Sequence, residues 1–342
     1  MRKSVALALI LCAGGLLILL VEAGRFLLVP PSDTSKEVVV EVAEGASLTL
    51  VAQRLTDAGV ITRPTYFVLL GRLLGAQRTI QAGDYALQTT MRPMEVMRKL
   101  ISGAVVQTAV TIPEGLTMQE IAAQLEAQGL MPARAFLAAT DDPTIRAEVG
   151  VGAPSLEGYL FPSTYYVSRR TKPSELVRRM VHQFQESTRT LDWSRAAEWK
   201  LSHHQIVTLA SIIEKETARN DERPLIASVF YNRLKRRMPL QSDPTVIYAL
   251  DDFDGNLRRV DLQVASPYNT YRVAGLPPGP IANPGLASLE AALHPAGSDY
   301  LYFVSKNDGS HFFSSTLAEH QKAVAKYQVL PARARRAVAR RG

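Results

Sequence analysis

The sequence predicts an α+β fold behind an N-terminal membrane-spanning helix, and three observations carry that prediction. Long helical stretches are interspersed with scattered short strands. A strand–turn–helix segment occurs twice, seventy residues apart. Eighteen uncharged residues, Ser4–Val21, open the chain. The 342 residues allow roughly two domains. A hydrophobic content of 46% suits a globular core, which excludes wholesale disorder and fibrous repeats.

The opening segment comes first. At 1.5 Å rise per residue, Ser4–Val21 would span about 27 Å, close to the hydrocarbon thickness of a bilayer. Arg2 and Lys3 precede it, so the positive-inside rule keeps residues 1–3 cytoplasmic, assigns 4–23 to the membrane and sends the rest across. A cleavable signal peptide ending near Val21-Glu22-Ala23 is the alternative, and it too makes the body extracytoplasmic. The single cysteine, Cys12, lies in this apolar stretch, so the chain has no intramolecular disulfide and no cysteine-rich metal site. Residues 24–36, with Pro30-Pro31-Ser32-Asp33, read as a short stiff linker.

The net charge of +7 and the pI near 9.5 invite a nucleic-acid reading, but the excess is at the ends. Residues 331–342 hold five Arg and no acid, and Arg2 and Lys3 supply the other two. The body is balanced, so no nucleic-acid partner is expected. The basic tail reads as disordered.

In the body, VVEVAEGASLTLVAQRLTDAGVI, beginning at Val39, returns at Ala109 as AVTIPEGLTMQEIAAQLEAQGLM. Each copy reads as a strand, a Glu-Gly turn, an amphipathic helix and a glycine stop. Thr117 and Glu120 form a capping box in the second copy. After the first copy come helices over Thr65–Leu74 and Pro93–Ile101, with a strand at Ala82–Leu87 between them. Residues 37–103 thus read as a compact βααβ module. It resembles a LysM-like module, which implies glycan binding; a membrane-proximal spacer is the alternative. Residues 104–330 form the larger α+β unit. Its helices are expected near Ala133–Ala139, Pro173–Gln185, Gln205–Ala218, Pro224–Arg236 and Thr316–Tyr327. Between them lie an aromatic loop (156–167), a polar loop after Arg236 and a closing LYFV strand with an HFF segment.

No metal or cofactor signature is present: there is no His-Glu-x-x-His, Walker loop or Gly-x-Ser-x-Gly elbow. His203-His204 read as a solvated helix start, and His294, His311 and His320 as structural or rim-polar residues. Ser211 has no evident nucleophile partner. A polar constellation remains around residues 209–250. Glu214, Lys215 and Glu216 end an apolar helical run, and the 100° step exposes Lys215, against a Schiff-base role. Between the two glutamates it leans only slightly to Glu216. A carboxyl at the edge of an apolar face has a raised pKa and holds a proton near neutral pH. Gln241-Ser242-Asp243-Pro244-Thr245 and Ser266-Pro267-Tyr268-Asn269-Thr270-Tyr271 add the uncharged and aromatic groups that sugar chemistry needs. GLPPGPIANPG (275–285) suggests a stiff wall.

The runs ASIIEKET, IASVFYNRL, LQSDPTVIYAL, SPYNTY, GLPPGPIANPG and HFFSSTLAEH, with LEGYLFPSTY and PEGLT, occur in order, and with them the chain resembles the endolytic murein transglycosylase (MltG/YceG-like) family. Ser163 stands where that pattern has an acidic residue, and the Arg-rich tail lies outside it. The resemblance implies an enzyme, a peptidoglycan lytic transglycosylase that cuts MurNAc-β-1,4-GlcNAc bonds within nascent glycan strands and leaves 1,6-anhydro ends. It carries the catalytic acid onto Glu216, with Glu214 or Asp243 as a possible helper carboxylate. The expected sugar contacts are Gln241, Ser242, Asp243, Thr245, Tyr268, Asn269 and Tyr271, with Glu157 and Tyr159 in the same groove. Implied partners are glycan strands, the membrane and peptidoglycan synthases, with no cofactor. The implied location is the bacterial inner membrane, single-pass, with a periplasmic catalytic domain. An ordinary hydrolase and a non-catalytic, membrane-tethered glycan-binding scaffold are the alternatives.

Overall fold

The computed structural model describes residues 13–330 apart from 16, 19–20, 149 and 151. Most of the expected membrane span, residues 1–3, Cys12 and the tail 331–342 lie outside the described residues. Among the described residues no helix is long and apolar enough to cross a membrane.

The elements run β1 (Glu37–Val42), α1 (Leu48–Asp57), α2 (Pro64–Leu73), β2 (Gly83–Gln88), α3 (Pro93–Ser102), β3 (Thr108–Ile112) and α4 (Met118–Ala127). Then come α5 (Ala133–Asp141), α6 (Pro143–Glu148), β4 (Ser163–Val167), α7 (Pro173–Thr188), α8 (Arg195–Glu198) and α9 (His203–Glu216). The chain continues with α10 (Arg223–Lys235), α11 (Asp243–Tyr248), α12 (Leu286–Leu293), β5 (Tyr302–Ser305), β6 (His311–Ser314) and α13 (Leu317–Val324). The strands make three separate two-stranded sheets, β1–β2, β3–β4 and β5–β6, so the fold is α+β.

Two compact units are present. One runs to Ala109 and takes in Tyr166–Thr171; the other comprises Val110–Tyr165 and the chain from Lys172 on. In the first unit β1 and β2 pair antiparallel, from Glu37 opposite Gln88 to Val42 opposite Gly83. Alternation turns Val40, Val42, Tyr85 and Leu87 inward, where they meet Leu55, Phe67, Met97 and Leu100. The helical segment 21–28 adds Phe26, whose ring lies 5.8 Å from that of Tyr66 in an edge-on contact.

The repeat is visible as structure. Both copies carry a ten-residue helix, α1 and α4, capped by a hydroxyl: Ser47 accepts from Leu50 N–H and Thr117 from Glu120 N–H. Both turns hold glycine at left-handed φ, +71° at Gly45 and +80° at Gly115. Both helices stop at a left-handed glycine, Gly59 or Gly129, after which Val60 or Leu130 donates its N–H to Leu55 or Leu125.

The second unit is built around α9. Ile206, Val207, Leu209, Ala210, Ile212 and Ile213 are all buried, packed among residues that include Ile226, Ala227 and Phe230 of α10 and Leu289 and Leu293 of α12. A helix apolar on nearly every side belongs in a core. Five elements were not expected from the sequence, among them the short helices α6, α8 and α12. The polar loop after Arg236 contains α11, with Pro244 in its first turn, and the aromatic loop 156–167 contains β4. At six and five residues, α11 and β4 are too short for a periodic pattern to register.

Candidate functional site

The site grows from the end of α9. Its start is fixed by a capping box: Ser202 Oγ accepts from Gln205 N–H (3.2 Å) and Gln205 Oε1 from Ser202 N–H (2.8 Å). Its end is Glu216, because Thr217 turns to extended backbone at φ −149°. The half-buried carboxyl therefore terminates an apolar helix, at the negative end of the helix dipole. Ser242 Oγ donates to Glu216 Oε1 at 2.5 Å, and among the described residues no other hydrogen bond reaches this side chain. Burial pushes the carboxyl up to about 7; the Asp243 charge adds to this, while the Ser242 bond and the Arg233 guanidinium oppose it. A carboxyl in that state holds a transferable proton at neutral pH.

Glu216 opens on a cavity of about 280 Å³ that Gln241, Asp243 and Tyr271 also line. Four further lining residues, Arg233, Leu240, Phe303 and His320, were not singled out as site residues from the sequence. The two predicted loops are laced together around the cavity. Gln241, at a left-handed φ of +53°, donates its N–H to Thr270 O (3.1 Å), and Ser242 N–H donates to Thr270 Oγ1 (3.1 Å). Arg233 fixes the first of them: its guanidinium donates to Pro239 O, Leu240 O and Gln241 Oε1 and also to Leu301 O, at 2.7–3.1 Å. The Tyr271 hydroxyl donates to Asp243 Oδ1, which holds that carboxylate on the cavity wall.

The other predicted residues are elsewhere. Thr245 and Asn269 have no exposed surface. Thr245 Oγ1 donates to Ser242 O (2.6 Å), and Asn269 Nδ2 donates to Leu262 O and Val264 O (3.0 and 2.9 Å). They shape loops and offer no atom to a ligand. Tyr268 packs on Tyr248, ring centroids 4.9 Å apart, and the Tyr159 hydroxyl bonds His204 Nδ1 at 2.8 Å.

Glu157 is also buried, 1% exposed, and does not line the Glu216 cavity. It accepts from Met118 N–H (3.1 and 3.2 Å), Asn283 Nδ2 (3.0 Å) and Tyr248 OH (3.3 Å). Burial raises its carboxyl to about 7 against those bonds. One of its partners, Asn283, was overlooked in the sequence. Asn283 Oδ1 accepts from Gly158 and Leu160 N–H (3.0 and 2.9 Å), and its Nδ2 also reaches Leu116 O (2.9 Å). One amide thus joins the PEGLT, LEGY and ANPG segments.

Glu214, two residues before Glu216, has a different fate. Its side chain is buried, its Oε1 accepts from Arg223 (2.9 Å), and its Oε2 accepts from Gly285 N–H (3.0 Å). Arg223 is itself buried and donates to Ser288 Oγ at 2.9 Å and to Asn220 Oδ1. Glu214 is therefore committed to holding the end of α9, and Lys215, though exposed, donates to Gly115 O at 3.0 Å.

Comparison with known proteins identifies the family. The model of the YceG-like family matches residues 40–326. The chain is similar to the endolytic murein transglycosylase of Bacillus subtilis strain 168, 38% identical over 321 residues that cover 89% of each protein. It is also similar to the endolytic murein transglycosylase of Streptococcus pneumoniae strain R6, 31% identical over 328 residues, 86% of this chain and 59% of that protein. A crystal structure of a protein described as yceG-like, from Listeria monocytogenes, shares 36% identity at a TM-score of 0.58, covering 84% of this chain and 98% of that one.

Proposed function

The chain belongs to the YceG-like family, and we propose that it cleaves peptidoglycan as an endolytic transglycosylase with Glu216 as its acid. The observation that carries the reading is a half-buried carboxyl, pushed up to about 7, on the wall of an open cavity. Protonated Glu216 gives its proton to the glycosidic oxygen as the MurNAc-β-1,4-GlcNAc bond breaks. The resulting carboxylate takes the proton of the muramyl C6 hydroxyl, whose oxygen bonds to C1 and closes a 1,6-anhydro ring. That hydroxyl does what water or a second carboxylate does in ordinary glycosidases, so one acid suffices. Asp243 supports it by keeping the Glu216 carboxyl protonated, Gln241 and Tyr271 share the cavity wall with it, and the buried Ser242 holds its Oε1.

On the same reading, Ser4–Val21 anchors the chain in the bacterial inner membrane and the catalytic unit works on nascent strands outside the cytoplasm. There it ends strand elongation beside the synthases. Residues 37–103, with their strand–helix–helix–strand order, serve as a LysM-like glycan-holding module. Mass spectrometry of purified glycan strands digested by the wild type and by Glu216→Gln tests the proposal. The wild type should leave anhydro ends, one water lighter than reducing ends, and Glu216→Gln none. Reducing ends, or undiminished product from the variant, overturn it. Because the reaction starts from the protonated acid, activity should also fall as pH rises through about 7.

A further inference from the structure

His320 lines the Glu216 cavity, and nothing above gives it a task. It comes from α13, more than one hundred residues after Glu216 in the chain. Its ring stacks on Tyr302, centroids 5.1 Å apart and planes 23° from parallel. The same Tyr302 ring carries the Arg233 guanidinium 5.2 Å from its centroid. His320 Nδ1 is buried and meets no hydrogen-bond partner among the described residues.

A buried N–H without an acceptor costs more than a buried lone pair without a donor, so the ring proton belongs on Nε2. A cation is disfavoured as well: burial first, and then Arg233, hold the imidazole below its ordinary pKa. His320 thus brings to the cavity a neutral ring with one N–H. Beside it, Leu240 and Phe303 supply an apolar wall. A donor next to an apolar wall matches an acetamido group, whose carbonyl accepts and whose methyl avoids water.

We infer that His320 is a substrate-binding residue whose Nε2–H holds the acetamido carbonyl of an N-acetylated sugar in the Glu216 cavity, its methyl lying against Leu240 and Phe303. The inference rests on the peptidoglycan-cleaving reading and adds the substituent that is recognised.

The test uses the full chain and two substrates, purified glycan strands and the same strands chemically de-N-acetylated. His320→Phe keeps the ring on Tyr302 and removes the donor; His320→Gln keeps an amide donor. On acetylated strands His320→Phe should lower kcat/KM about tenfold, mostly through KM, as expected for one lost hydrogen bond. His320→Gln should recover most of that loss. On de-N-acetylated strands the wild type and His320→Phe should be equal. An equal fold loss on both substrates, or no loss on either, overturns the inference. Nitrogen NMR of the wild-type histidines is independent of variant folding: a neutral Nε2–H ring is expected for His320, and a proton on Nδ1 at neutral pH overturns it. Absence of anhydro ends from wild-type digests would sink the functional reading itself, a result separate from any His320 effect.

Discussion

The two copies of the βα unit have the same backbone and opposite surroundings. In the first, Glu44 and Gly45 are exposed and, among the described residues, the turn bonds only to itself. In the second, Gly115 is buried, its N–H donates to Asn283 O (2.9 Å) and its carbonyl takes Lys215. The ion pairs differ in the same sense. Arg54 and Glu41 of the first copy meet at 3.8 Å with both side chains in water, whereas Arg223 and Glu214 meet at 2.9 Å with both side chains buried. A supersecondary unit therefore folds on its own caps and glycines. What makes one copy part of a site is supplied by residues outside the repeat.

Arg223→Met should break the comparison most severely. It leaves Glu214 buried without its partner, a loss on the order of 3–5 kcal/mol, while Arg54→Met, at an exposed pair, should cost less than about 1 kcal/mol. Equal losses in chemical denaturation would mean that the burial contrast carries no energetic weight.

The second prediction concerns Glu157, which receives the Met118 N–H at the start of α4; α1 has only its serine cap. Glu157 titrates near 7 when folded, against an ordinary value of 4.5. Between those values the folded protein keeps a proton that the unfolded chain releases. Stability accordingly falls as pH rises from about 4.5 to 7 and levels off above, by up to about 3 kcal/mol from this group. Glu157→Gln cannot titrate, so the fall in Tm between pH 5 and 8 should shrink. Part of it persists, because Glu216 is raised in the same way. An unchanged slope would show that Glu157 is already ionised in the folded protein.

The smallest effect is the most discriminating. Gly45→Ala and Gly115→Ala each place a side chain at left-handed φ, at a cost of about 1 kcal/mol apiece. An added Cβ at Gly45 meets nothing within 4 Å, and at Gly115 it meets Glu214 Cγ at 3.6 Å and Lys215 Cδ at 3.7 Å. Their Tm shifts should therefore match. Only Gly115→Ala should lower turnover of glycan strands, because relaxing its left-handed φ shifts the Gly115 carbonyl that holds Lys215, the neighbour of Glu216. Equal turnover in the two variants would dissociate the second turn from Glu216.

The sequence made the longer helices legible because their periodic runs are long and their ends are marked, as at Ser47, Thr117 and Ser202, whereas α6, α8, α11 and α12 are too short for that. It also placed Glu216 with Gln241, Asp243 and Tyr271, all of which line one cavity. Periodicity barely separated Glu216 from Glu214, because both leave α9 near the edge of the same apolar face. Remote residues separate them: Arg223 and Gly285 engage Glu214, and Ser242 engages Glu216. Thr245 and Asn269 looked like ligand contacts because a polar side chain reads alike in sequence whether it serves a loop or a ligand. Asn283, Arg233 and His320 stood in recognised segments, but their partners lie many residues away and no local pattern reports such pairing.

Phe26 bears on how this protein is produced for study. It is only 6% exposed, packed into the first unit beside Tyr66, and Glu22 pairs with Arg63 at 3.3 Å. A soluble fragment trimmed to start at residue 37, after the linker expected from sequence, would lose that aromatic plug and open a hole of the kind that costs about 3 kcal/mol or more. One trimmed to start at residue 21 keeps it. The natural cut for expression lies at the start of the helical segment 21–28, ahead of the prolines.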